Sequence, residues 1–160
     1  MKNIIYIVCL LILVSCSEDD QVSTKEISTP DKVQTPSVEV KEVSQLEERD
    51  GVMYEPSKEE PFTGRHVIHH ENGQKQVEGN YKEGMKDGHW TYWYENGQKE
   101  SEGNFKGGKE DGLVTYWYEN GQKESEGNFK EGMEDGLWIL WDENGQKKSE
   151  GNYKDGELVE

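Results

Sequence analysis

His89-Trp90-Thr91-Tyr92-Trp93-Tyr94-Glu95-Asn96-Gly97-Gln98-Lys99-Glu100-Ser101-Glu102-Gly103-Asn104-Phe105 is the stretch that decides the fold. Two strand-like runs flank Asn96-Gly97. Asn-Gly between such runs is the strongest short-range hairpin signal, because a type I′ turn needs φ > 0 at both central residues. Pairing Glu95 with Gln98 then sets Tyr94 opposite Lys99, Tyr92 opposite Ser101 and Trp90 opposite Gly103. A glycine in mid-strand is costly unless a large neighbour covers its bare backbone, so Trp90 is expected over Gly103.

The pattern recurs. Asn72-Gly73, Asn96-Gly97, Asn120-Gly121 and Asn144-Gly145 stand 24 residues apart. Gly79, Gly103, Gly127 and Gly151 form a second column in the same phase, and Trp90, Val114 and Trp138 a third. Several columns in one register identify a tandem repeat. Units run over 64–87, 88–111, 112–135 and 136–160, within a repeat domain at 51–160. The segments from Gly84 to Gly88, Gly108 to Gly112 and Gly132 to Gly136 turn the chain into the next hairpin. The expected fold is all-β, an elongated single-layer antiparallel meander of 24-residue hairpins behind a disordered tether.

The unit Gly88-x-Trp90-x-x-Trp93-Tyr94-x-Asn96-Gly97-Gln98, followed by Glu102-Gly103-x-Phe105-x-x-Gly108, resembles the MORN-repeat variant of bacterial proteins. Pro61-Phe62-Thr63-Gly64 is similar to the usual start of a first unit. Two departures are Val114 for the usual aromatic and Asp142 for tyrosine. The resemblance implies an elongated single-layer sheet. It also implies one of several roles, since some bacterial members are labelled antitoxins and related repeats act as scaffolds or membrane-associated modules.

The other end of the chain speaks to location. MKNIIYIVCLLILVSC places Lys2 before an apolar run from Ile4 to Val14, the length of a signal h-region and too short to span a bilayer comfortably. It ends in Leu13-Val14-Ser15-Cys16, which resembles the lipobox of bacterial lipoproteins. Residues 1–15 are therefore expected to be a signal peptide and Cys16 the lipidated first residue, with the protein anchored to the membrane rather than spanning it. An ordinary secretory signal or an uncleaved anchor would leave Cys16 an idle thiol. Cys9 leaves with the signal, so no mature thiol remains for disulfide, metal or nucleophilic chemistry. Ser17-Glu18-Asp19-Asp20 looks like a surface-export signal of some Gram-negative lipoproteins and equally like a solvated linker start. Residues 16–50 read as a flexible acidic linker, with ten acidic and four basic residues from 17 on. Part of 38–48 suits a frayed helix.

Composition limits the function classes. Charged residues make up 32% against 31% hydrophobic, with a mean hydropathy of −1.06, so order depends on the aromatics. Fifteen of the sixteen lie between Tyr54 and Tyr153, among the repeats. A net charge of −16 argues against nucleic acid or an anionic headgroup as partner. His66, His69 and His70 occupy the columns of Trp90, Trp93 and Tyr94 and read as rings in a capping unit, not a zinc site. The ladder Glu78, Glu102, Glu126 and Glu150 lacks the asymmetry that paired acid and base carboxylates need, and Lys75, Lys99, Lys123 and Lys147 are placed to neutralise it in part. Asp87, Asp111 and Asp135 each precede a glycine and suit turns. No enzyme activity, cofactor or metal is expected. Trp93, Trp117 and Trp141 alternate onto the face opposite Trp90 and are the candidate binding face. The leading reading is a lipid-anchored envelope protein at the outer membrane, on its periplasmic or surface side, whose sheet binds an unidentified protein. An antitoxin-like protein and a cell-wall or glycan-binding module are the alternatives.

Overall fold

A computed structural model describes residues 42–159, which belong to the compact unit Val38–Glu160. The expected signal peptide, Cys16 and the linker as far as residue 41 lie outside the described residues. Three short strands come first: β1 (Glu42–Val43), β2 (Glu47–Arg49) and β3 (Val52–Tyr54). The first hairpin is β4 (Gly64–His69) with β5 (Lys75–Lys82), and the second is β6 (Met85–Lys86) and β7 (Gly88–Trp93) with β8 (Lys99–Lys106). The third is β9 (Lys109–Trp117) with β10 (Lys123–Lys130), and the fourth is β11 (Met133–Glu134) and β12 (Gly136–Trp141) with β13 (Lys147–Lys154). β14 (Glu157–Val159) closes the array.

From β4 to β14 each strand pairs antiparallel with the next along the sheet, which is the expected meander. β1 joins the outer edge of β4 in parallel, so the sheet is mixed rather than purely antiparallel. Residues 42–50, read above as linker with a frayed helix within 38–48, form β1, β2 and a turn over their described part. The reason is long-range burial. Val43, Leu46 and Met53 pack on Phe62, Tyr81 and Trp90, and the Met53 amide donates to the Gly84 carbonyl while the Met53 carbonyl accepts from the Phe62 amide.

The turns differ from expectation in an instructive way. Gly97 has φ +83° while Asn96 stays in the negative range, as does every asparagine of that column. The Gly97 amide donates to the Tyr94 carbonyl and the Tyr94 amide to the Gln98 carbonyl, both at 2.9 Å. This is a type I turn followed by a left-handed glycine, a three-residue loop rather than the two-residue I′ turn. Trp93, not Tyr94, therefore stands opposite Lys99, and a bulge at Glu100 restores the expected register, with Tyr92 opposite Ser101 and Trp90 opposite Gly103. The I′ turns lie at the other end of the strands. Glu83-Gly84, Gly107-Gly108, Glu131-Gly132 and Asp155-Gly156 each have two positive φ values.

The asparagine side chain braces this turn. Asn96 Oδ1 accepts the Gln98 amide at 2.9 Å, and its Nδ2 donates to the Glu119 carbonyl of the next repeat at 2.8 Å. Asn72 and Asn120 make the same bonds one repeat away. These columns tie neighbouring repeats together along the turn edge.

The glycine column also needs correction. Trp90 pairs with Gly103 in register, but its ring lies over Gly79 on the strand to its other side, where a Cβ would come within 2.1 Å of the indole. Val114 likewise covers Gly103, Trp138 covers Gly127, and Leu158 covers Gly151. A bond aims the indole. Trp90 Nε1 donates to the Asn80 carbonyl at 3.1 Å, and Trp138 Nε1 to the Asn128 carbonyl at 3.2 Å. Trp90, at 1% exposure, is the most buried large side chain among the described residues. Each repeat thus completes the one before it.

Candidate binding faces

Alternation along β7, β9 and β12 sends Trp90, Tyr92, Val114, Tyr116 and Trp138 to one face and Thr91, Trp93, Thr115, Trp117 and Trp141 to the other. Trp93, Trp117 and Trp141 end their strands, are partly buried, and stand opposite Lys99, Lys123 and Lys147. Their rings are not bare. Lys75 lies 5.7 Å from the Trp93 ring centre, Lys99 5.5 Å from Trp117 and Lys123 5.8 Å from Trp141. Each lysine thus pairs in one hairpin and covers the indole of the next in a cation–π contact.

Each lysine also holds a carboxylate: Lys75 with Glu78, Lys99 with Glu102, Lys123 with Glu126 and Lys147 with Glu150. Arg65 adds to Glu78 and ties Glu42 of β1 to the sheet. The Lys75 hydrogen bond, followed by Arg65, holds the Glu78 carboxyl below its usual range, against the desolvation that opposes it. Lys86, by contrast, sits on the other face among rings.

The three clustered histidines go to three places. His66 is 5% exposed in the aromatic core, against Tyr81 and Trp90, with Nδ1 3.1 Å from the Val43 carbonyl. Burial pulls its pKa down. His69 is exposed on the opposite face. His70 takes the tyrosine position. Its Nε2 lies 2.8 Å from the Trp93 carbonyl, as the Tyr94 hydroxyl donates to Trp117 at 2.7 Å and the Tyr118 hydroxyl to Trp141 at 2.9 Å. Asp142 follows in that column, and its carboxylate instead accepts the Asn144 and Gln146 amides. Among the described residues no three histidine, cysteine, aspartate or glutamate side chains are grouped to hold a metal ion.

One set of residues was not visible in the sequence. Lys86, Glu110 and Glu134 sit in segments read only as turns, yet they pair with Tyr81, Phe105 and Phe129 and so share the aromatic face. Their signal was alternation, since each lies two residues past the left-handed glycine. Burial pulls the Lys86 ammonium down and pushes the Glu110 carboxyl up, each partly countered by the other. Burial also raises Tyr81 to about 12 and lifts Tyr92 and Tyr116.

A family model described as the MORN repeat variant matches residues 62–83, 86–106, 110–131 and 134–155, four stretches beginning 24 residues apart and covering more than half of the chain. No curated protein matches it.

Proposed function

Because the chain belongs to the MORN repeat variant family, whose repeats build a sheet with two unlike faces here, we propose that it is a non-catalytic protein-interaction module held at the cell envelope by a lipid on Cys16. The observation that carries the binding reading is the row Trp93, Trp117 and Trp141. These indoles repeat at one-hairpin steps on a scaffold whose turns are tied to their own neighbours. Tryptophan in such a setting supplies large contact area at low entropic cost. The covering lysines are exposed and can swing to a partner's carboxylates.

Support for the anchor is the run from Lys2 to Cys16, and two or more acyl chains make such attachment stable. The outer membrane of a bacterium is the expected site. An antitoxin-like role ranks below, because a cytoplasmic toxin is out of reach of an exported chain. A glycan-binding role also ranks below, because the ammonium groups over the indoles suit a partner's carboxylates better than neutral sugar rings. Fatty-acid labelling of wild type but not Cys16→Ala is expected, and an unlabelled wild type would overturn the anchor. Pull-down from membranes with the full chain should lose its main partner in the Trp93→Ala/Trp117→Ala double variant. Identical partner lists would remove the tryptophan row as the site.

A further inference from the structure

The aromatic face repeats the position of Lys86 three times, with opposite charges in it. In the second hairpin, Lys86 Nζ lies 4.7 Å from the Trp90 ring centre, 5.3 Å from Tyr92 and 4.8 Å from Phe105, and donates to the Tyr92 hydroxyl at 2.5 Å. This ammonium has left much of its water for ring faces, which attract a cation through their quadrupoles.

One repeat later the same backbone positions carry Val114, Tyr116 and Phe129, and the position of Lys86 is Glu110, paired with Phe105 as Lys86 is with Tyr81. Two repeats later that position is Glu134, paired with Phe129. Both carboxylates bear on the Tyr116 phenol, which burial first and then Glu110 and Glu134 push upward. Among the described residues neither Glu110 nor Glu134 has a salt-bridge partner. Glu110 is half-buried, with Lys86 the cation whose charge partly offsets that burial. The second cradle therefore has ring surface and two carboxylates but no ammonium of its own. Residues 42–62 cover the face at Tyr81 and Trp90, whereas Tyr116 and Phe129 stay partly exposed.

We propose that Tyr116 and Phe129, flanked by Glu110 and Glu134, form a slot for a lysine side chain from a basic segment of a partner protein, seated as Lys86 is seated one repeat earlier. The occupant's charge follows from the two carboxylates and from a chain of net charge −16. Its chemistry follows from Lys86, which fills the first cradle from within. This deepens the interaction-module reading and rests on it, but on the face opposite Trp93, Trp117 and Trp141.

The test uses the full chain in detergent and a fluorescent lysine-rich peptide, with the same peptide acetylated on its lysines as the uncharged probe. Glu110→Lys should fill the slot from within, as Lys86 does, and weaken binding about tenfold. Tyr116→Ala should weaken it similarly, provided its melting curve shows a folded sheet. Glu71→Lys, with the same charge change at an exposed turn, should lose less than about twofold. Equal losses in Glu110→Lys and Glu71→Lys would reduce the effect to bulk charge and overturn the slot. Amide shifts from the peptide should centre on Tyr116 and Phe129; shifts centred on Trp93 and Trp117 would overturn the slot while leaving the interaction module standing. Self-association of wild type that Glu110→Lys abolishes would make the occupant a second copy and overturn the proposal. If the membrane pull-down also finds no partner, the broader reading falls with it.

Discussion

The first hairpin, β4–β5, and the last, β12–β13, share their columns of residues but not their neighbours. The first has β1 on its outer edge and residues 42–62 over its aromatic face, so that Phe62, Tyr81 and Trp90 form the core cluster. The last has β14, whose Leu158 covers Gly151 while remaining 67% exposed itself. The shared ladder responds: the Glu78 side chain is 28% exposed and the Glu150 side chain 50%. Identical positions thus differ in exposure according to what lies beside them, and a difference in stability is expected when energy resides in the interfaces between repeats.

The sharpest way to break this comparison is at the tryptophans. Trp90→Ala should cost about 3–5 kcal/mol, read by urea unfolding, because the ring contacts Tyr81, Tyr92, Phe105 and His66. Trp138, whose ring contact is Phe129, should cost distinctly less. Equal losses would mean that the N-terminal cover contributes nothing. Next come the glycines. Gly79→Ala drives a methyl into the fused indole ring and should cost about 1–3 kcal/mol, whereas Gly151→Ala meets the mobile end of Leu158 and should cost less than about 1 kcal/mol.

Acid should loosen the first hairpin before the last. His66 has a depressed pKa in the folded state because burial disfavours its charge. The unfolded chain therefore binds the extra proton first, and stability falls as pH drops below about 6.5. His66→Phe should flatten that part of the stability-against-pH curve; an unchanged slope would assign it to other groups. The smallest effect separates the ladder's ends. Glu78→Gln should cost up to about 1 kcal/mol and Glu150→Gln close to none, since exposed pairs contribute little.

Much of this was legible in the chain. Asn-Gly at a 24-residue step revealed the hairpins, and the opposition of Trp90 and Gly103 followed from counting inward from the turn. The count succeeded although the turn type was wrong, because the extra loop residue is cancelled by the bulge at Glu100. The tryptophan row was placed on its face by alternation alone. The lysines over it were not foreseen as covers, because each reaches the next repeat's ring 18 residues away. Residues 42–50 gave no periodic signal, since too few apolar side chains there carry the contact that orders them.

The sequence by itself determined the repeat, its phase, the register inward of the turns and the two-faced strands. Those properties are local, set by side-chain alternation and by backbone that only glycine adopts easily. Tertiary structure alone decided which strand each indole covers, which turn takes two positive φ values, and that Lys86 sits among rings where Glu110 and Glu134 follow. Those outcomes depend on hydrogen bonds and burial supplied by a neighbouring repeat, a partner that a strand's own residues do not specify.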